Sequence, residues 1–153
     1  MKTLLTVLSF VALPAMAATG GPDGYGSTYV DSNETGGPAY AFEDISSTGS
    51  DLSLSDDDNR FVRLTNFEFP FYGIPQAGIS VGSNGNIAFE DAYVGLSNTC
   101  PLPGPTAYLP QSVIGVYWDD LNPESAGAVL FEERTAPNRA IVQWQEVPRF
   151  GST

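Results

Sequence analysis

Beyond Arg60 the large apolar side chains settle into short alternating runs. Phe61 and Leu64 lead into Phe67, Phe69 and Phe71, which alternate with Glu68 and Pro70. A period of two puts one set of side chains on one face of a strand. This stretch therefore reads as a half-buried strand, with Pro70 near its end, where a missing amide donor is tolerated at a sheet edge. Ile79 and Val81 precede Ser83-Asn84-Gly85, and Ile87 and Phe89 follow it. An Asn-Gly pair alone suggests a two-residue hairpin loop, but that register sets Val81 opposite Ala88 and Ile79 opposite Glu90. A three-residue loop over residues 83–85 sets Val81 opposite Ile87 and Ile79 opposite Phe89, with Gly85 in the left-handed position that closes such loops. The apolar pairing selects the longer loop.

Residues 113–118 are almost entirely apolar and read as a strand covered on both faces or central in its sheet, ending at Asp119-Asp120. Residues 128–131 form the next short strand, and the turn Thr135-Ala136-Pro137-Asn138 leads into a strand over residues 139–147. There Ala140, Val142 and Trp144 share one face, while Ile141, Gln143 and Gln145 share a wetter one. One more short alternating strand falls near residues 51–55. At least six strands joined by turns, with no substantial helix in the mature chain, predict an all-β fold. The expectation is a mostly antiparallel β-sandwich, jelly-roll-like, with one long Pro-rich loop. That loop, residues 91–111, holds Pro101, Pro103, Pro105 and Pro110 and is the candidate functional rim or a packed crossover.

The chain starts with a basic Lys2, an apolar run over residues 4–13 and Ala15-Met16-Ala17, the pattern of a secretory signal peptide cut after Ala17. The predicted organisation is therefore a signal peptide (1–17), a Gly/Ser/Asp-rich lead-in with short strands packed on the body (18–59), and a sandwich core (60–153), incomplete at its C-terminus. Tyr25, Tyr29 and Tyr40 are the expected anchors of the lead-in. No later segment is apolar for long enough to span a bilayer as a helix.

Charge narrows the partners. The 153 residues carry 18 acidic and 6 basic side chains, a net charge of −12. Acidity spread through the chain repels phosphate backbones and anionic lipid headgroups, which disfavours nucleic acid and membrane surfaces. The chain has no His and one Cys, Cys100, so His-dependent catalytic triads, zinc sites built from His and Cys, and internal disulfides are all absent from its inventory. The lone Lys2 lies in the leader, so no phosphate loop with its Lys can form. Cys100 reads as a plain, partly buried cysteine, and Asn33-Glu34-Thr35 fits the N-glycosylation pattern without deciding anything. No catalytic residue and no organic cofactor is assigned.

Two acidic runs remain as metal candidates, Asp56-Asp57-Asp58 beside Asn59, and Asp119-Asp120 beside Trp118. Calcium takes six to eight oxygens from carboxylates, carbonyls and water. Neither run has the alternating spacing of a helical calcium loop, so structural turn capping and calcium ligation both stay open for Asp56, Asp57, Asp58, Asp119 and Asp120. Adjacent residues on an extended chain point to opposite sides, so Asp119 and Asp120 are not expected to share a proton.

Four stretches, taken in order, carry a resemblance. They are Phe69-Pro70-Phe71-Tyr72-Gly73, residues 81–89, residues 114–121 and residues 139–144, preceded by residues 21–26 and 29–32 and by the aspartate run. Together they resemble a non-catalytic β-sandwich module of bacterial secreted and surface multidomain proteins, found beside secreted proteases and distantly similar to the nidogen-type extracellular domain. The resemblance implies a secreted or cell-surface module that serves recognition, adhesion or architecture, with an extracellular protein or glycan as partner. Members of that family continue past the position of Phe150-Gly151 with further strands. This implies a rival reading, a self-assembling subunit of a surface layer or filament whose exposed sheet edge a neighbour's strand completes. A third reading is a carbohydrate-binding or carbohydrate-active protein, with Tyr93, Tyr108 and Tyr117 available to stack on sugar rings.

Overall fold

The computed structural model describes residues 19–89, 94–98 and 112–152. The predicted signal peptide, Cys100, Tyr93, Tyr108 and most of the Pro-rich segment lie outside them. Two compact units divide at Phe42/Glu43.

In the first unit, β1 (Thr19–Gly20) pairs antiparallel with β2 (Tyr29–Val30). Asp23 sets the connection, because its Oδ1 accepts the amides of Tyr25, Gly26 and Ser27 at 2.8–2.9 Å. This is the local bonding that makes Asp a turn former. The tyrosines read as anchors are exposed: Tyr40 is 85% accessible, and Tyr25 and Tyr29 are both more than half accessible.

The second unit is a β-sandwich. One layer contains β3 (Ser50–Asp51), β10 (Ala128–Thr135) and β11 (Asn138–Gln145) in the order β11-β10-β3. The other contains β4 (Asn59–Arg63), β7 (Gly78–Gly82), β8 (Asn86–Ala88) and β9 (Val113–Gly115) in the order β4-β7-β8-β9. Between them in sequence lies the hairpin of β5 (Phe69–Phe71) and β6 (Ile74–Gln76), turned by Tyr72-Gly73, where both residues have positive φ. Every strand pairing among the described residues is antiparallel, and none of these residues is helical. The all-β sandwich read from the alternation is the fold observed.

Leu52, Leu54, Ile79, Val81, Phe89 and Val129 form the core, with Val142 and Trp144 packed against it from β11. Residues 43–59, read from sequence as part of the lead-in, supply Ile45, Leu52 and Leu54 to the buried set. The rings of Phe69 and Phe71 both stack on Phe89, at centroid distances of 5.3 and 4.2 Å. Two polar ties cross between the layers. Trp144 Nε1 donates to the Gly82 carbonyl at 3.0 Å. Glu133 on β10 accepts the amides of Thr65 and Asn66 and the Thr65 hydroxyl, all just beyond β4.

The hairpin register is the one that apolar pairing selects. Val81 faces Ile87, Ser80 faces Ala88, and Gly85 has φ of 71°. Three other expectations are corrected. Residues 113–118 are not a central strand. Among the described residues only Val113–Gly115 pair, with β9 last in the order of its sheet, and Val116 and Tyr117 are 59% and 67% exposed. A continuous apolar run lacks the period that would have marked one face as outward. The glutamine face of β11 is not wet at its centre: Gln143 is 7% exposed. Its Oε1 accepts the amide of the fully buried Ile45 at 2.8 Å, and its Nε2 donates to Asp44. The turn that follows Asp44 covers this face, and the glutamine satisfies a backbone group there that water cannot reach. Finally, the strand expected over residues 51–55 pairs only at Ser50–Asp51.

Candidate functional site

The tip of the β7–β8 hairpin is polar and sealed. Ser83, Asn84 and Asn86 are each no more than 1% exposed. Burial of polar groups is tolerated when each finds a partner: Asn86 Nδ2 donates to the carbonyls of Asn84 and Val94, and Ser83 and Asn84 find theirs on the two acidic loops. On one side, the Asp58 amide donates to Ser83 Oγ at 3.0 Å, and the Ser83 amide donates to the Asp58 carbonyl at 2.8 Å. On the other, the amides of Val116 and Tyr117 both donate to the Gly85 carbonyl. Asn84 bridges the two loops. Its Nδ2 donates to Asp57 Oδ1 and its Oδ1 accepts the Leu121 amide, both at 2.8 Å. Pro148 and Phe150 fasten the second loop from outside, through the bonds Asn122 N to Pro148 O and Phe150 N to Asp120 O.

This scaffold sorts the five aspartates. One carboxylate oxygen each from Asp56, Asp57 and Asp120 lies within 4.8 Å of the others. Asp58 stays apart, bonded to the amides of Ser55 and Asn59 in its own turn. Asp119 lies outside the cluster, at a bend of the chain. Its Oδ1 accepts the Asp120 amide, and its Oδ2 lies 3.3 Å from Arg149 Nε. The other three make a carboxylate cluster.

Asp56 stands out within the cluster. Its Oδ1 is sealed from solvent and accepts no hydrogen bond. Desolvation, followed by the charges of Asp57, Asp120 and Glu124, pushes its carboxyl above the ordinary value, against the opposing effect of a bond from the Asp57 amide. Among the described residues, the ion pairs of the basic side chains go elsewhere: Arg134 to Glu43 and Glu132, Arg139 to Glu43, and Arg149 to Asp119. Three carboxylates held together without a cation repel one another. Such an arrangement accommodates a proton or a hard cation.

A second feature is an apolar cavity of about 270 Å³ between the layers, lined by Leu64, Phe69, Ile79, Val142 and Trp144 among others. Among the described residues, Arg139 alone brings a charge to its wall, and its guanidinium grips Glu43 through Nε and Nη2.

A family model described as NIDO related matches residues 31–152. The chain belongs to the NIDO-related family. The matched span of this NIDO-related domain takes in both layers of the sandwich, the sealed hairpin tip and all five aspartates. No solved structure matches the chain. NIDO-related domains are typically extracellular, and among the described residues no helix is long and apolar enough to cross a membrane.

Sequence reasoning missed Ser83 and Asn84, which bring the loops together. They were read only for the turn they make. The available signal was the two acidic runs flanking a hairpin whose tip is itself amide-rich.

Proposed function

We propose that this NIDO-related domain is a secreted, non-enzymatic module that serves recognition, adhesion or architecture outside the cell, with an extracellular protein or glycan as its partner. The observation that carries this reading is the family match, which spans the whole sandwich in a family whose domains are typically extracellular. The inventory supports it, since the sequence has no His, a single Cys and a single Lys, at position 2. The polar groups at the hairpin tip support it too, because Ser83 and Asn84 are committed to holding loops. Expression of the full chain in a secreting bacterial host tests it. The expected product is found in the medium or on the surface and begins at Ala18. Retention in the cytoplasm with Met1 intact, or turnover of chromogenic glycosides or peptides by the purified protein, overturns it. In a glycan array, saturable binding assigns the partner to sugars, and Tyr117 is the stacking candidate that is described and exposed.

Self-association is a second reading that one observation favours. Among the described residues, β11 pairs only with β10, which leaves its outer edge without a strand. An unpaired edge is a template for another chain. Light scattering of the purified protein over a hundredfold range of concentration decides this, and a constant monomer mass removes it.

A further inference from the structure

We propose that the cavity between the two layers of the sandwich is a binding site for a small, neutral, aromatic molecule. Its walls come from both sheets, with Ile79, Ile87 and Ile114 on one and Val142 and Trp144 on the other. Phe69 and Phe89, stacked within 10° of parallel, add aromatic surface. Ile114 and Val116 belong to the wall and also meet solvent, which gives a ligand its way in. An apolar concavity with few polar groups is the usual form of a small-molecule site.

The hydrogen bonds of the wall select the ligand. Arg139 gives Nε and Nη2 to Glu43 and Nη1 to the Pro137 carbonyl, so its charge is matched within the protein. Trp144 Nε1 donates to the Gly82 carbonyl. Among the described residues no carboxylate lines the cavity. Water held in a cavity needs two to four polar partners, and a charged ligand needs an opposite charge to offset its desolvation. With the donors of Arg139 and Trp144 committed, the wall favours neither. It offers apolar and aromatic surface, on which a flat ring packs by stacking or by its edge. The Asn138 side chain, beside Arg139, is the polar wall group available to one hydroxyl or carbonyl on such a ring. Size narrows the class further. A cavity of about 150 Å³ takes up benzene, so one of about 270 Å³ suits, in proportion, about eleven non-hydrogen atoms, which is two fused rings with one substituent.

Calorimetry of the purified full chain tests the site, with 2-naphthol, neutral at pH 7, as the probe. Binding should saturate at one molecule per chain with a Kd of about 10⁻⁵ to 10⁻⁴ M, in keeping with a ligand of this size. In a Trp118→Phe background Trp144 is the one tryptophan left, and its emission should change along the same curve. Ala140→Phe fills the cavity from β11 and should weaken binding at least tenfold. Should that ring overpack the core, Val116→Phe is the second variant; it plugs the wall at an exposed position, should melt like wild type, and should weaken binding as much. Naphthalene-2-sulfonate carries the same rings with a fixed negative charge and should bind at least tenfold more weakly, because Glu43 holds Arg139. Absence of saturable heat up to about 1 mM probe, several molecules bound per chain, or unchanged affinity in the folded variants overturns the proposal. Equal or tighter binding of the sulfonate also overturns it, since it would show a site for anions. None of these outcomes depends on whether the chain is exported or on its macromolecular partner.

Discussion

Two regions of the sandwich exchange the burial their compositions suggest. The hairpin tip, Ser83-Asn84-Gly85-Asn86, is polar and sealed, whereas the stretch from Ile114 to Tyr117, among the most apolar in the chain, lies on the edge of the described sheet with Val116 and Tyr117 mostly in solvent. The difference shows that position in the fold sets burial here, and that hydrogen bonding makes polar burial tolerable. Ser83 and Asn84 meet donors and acceptors on both flanking loops. The amides of Val116 and Tyr117 reach back to the Gly85 carbonyl, which fixes the backbone of the edge while its side chains stay outside. The sealed region acts as the organiser and the apolar stretch is carried by it.

Breaking the organiser should therefore do the most damage. A Cβ on Gly85 would overlap the Tyr117 carbonyl oxygen, and the residue has φ of 71°, so it is closed to side chains both by space and by conformation. Gly85→Ala should cost about 3–5 kcal/mol, combining left-handed strain with a displaced backbone. Urea denaturation measures it, and a loss below about 1 kcal/mol would mean that the loop can shift without harm. Asn84→Ala comes next. It removes the acceptor of the buried Leu121 amide and the donor to Asp57, and should cost about 2–3 kcal/mol. Amide exchange should speed up at Leu121 and stay slow at Val129, which the change does not touch.

How much of this was legible in the sequence follows from what carries a period. The register of β7 and β8 was legible because two alternating runs flank an amide-glycine turn, and only one loop length pairs apolar with apolar. Asp119 does part from Asp120, but at a bend and not through the two-fold repeat of an extended chain. The carboxylate cluster was half legible. Both acidic runs were candidates, but which aspartates meet depends on Asn84, whose side chain aligns loops on opposite sides of a hairpin. The burial of Gln143 was not legible, because it requires knowing that Ile45 packs over β11, and no local pattern encodes that. The exposure of Val116 was hidden for the opposite reason: a run with no polar member offers no phase.

Glu133 sharpens the comparison from a third direction, as a charged tie that is only partly buried. Desolvation pushes its carboxyl up, but the bonds from Asn66 and Thr65 together outweigh it and hold the group below its ordinary 4.5. A depressed carboxylate stabilises the fold above the unfolded value, and that contribution is lost as pH falls through the folded one. Glu133→Gln should cost about 1 kcal/mol at pH 7, after allowance for solvent screening. The gap from wild type should close as pH drops below about 4.5, the ordinary carboxyl value. Urea midpoints at pH 7 and pH 3 measure it, and a gap of equal size at both would assign the effect to packing instead of charge.

The smallest effect belongs to the apolar edge. Val116→Thr keeps the branched shape and replaces a methyl with a hydroxyl at a position 59% exposed, where water can bond the new group. The change in stability should stay within about 0.5 kcal/mol. The same substitution at the fully buried Val81 places that hydroxyl in the core, where an unpaired hydroxyl costs about 1–3 kcal/mol. The pair holds chemistry constant and varies only location. If Val116→Thr proved as harmful as Val81→Thr, the edge would be covered in the working molecule, and a monomer-to-dimer comparison of the two melting curves would identify a second copy as the cover.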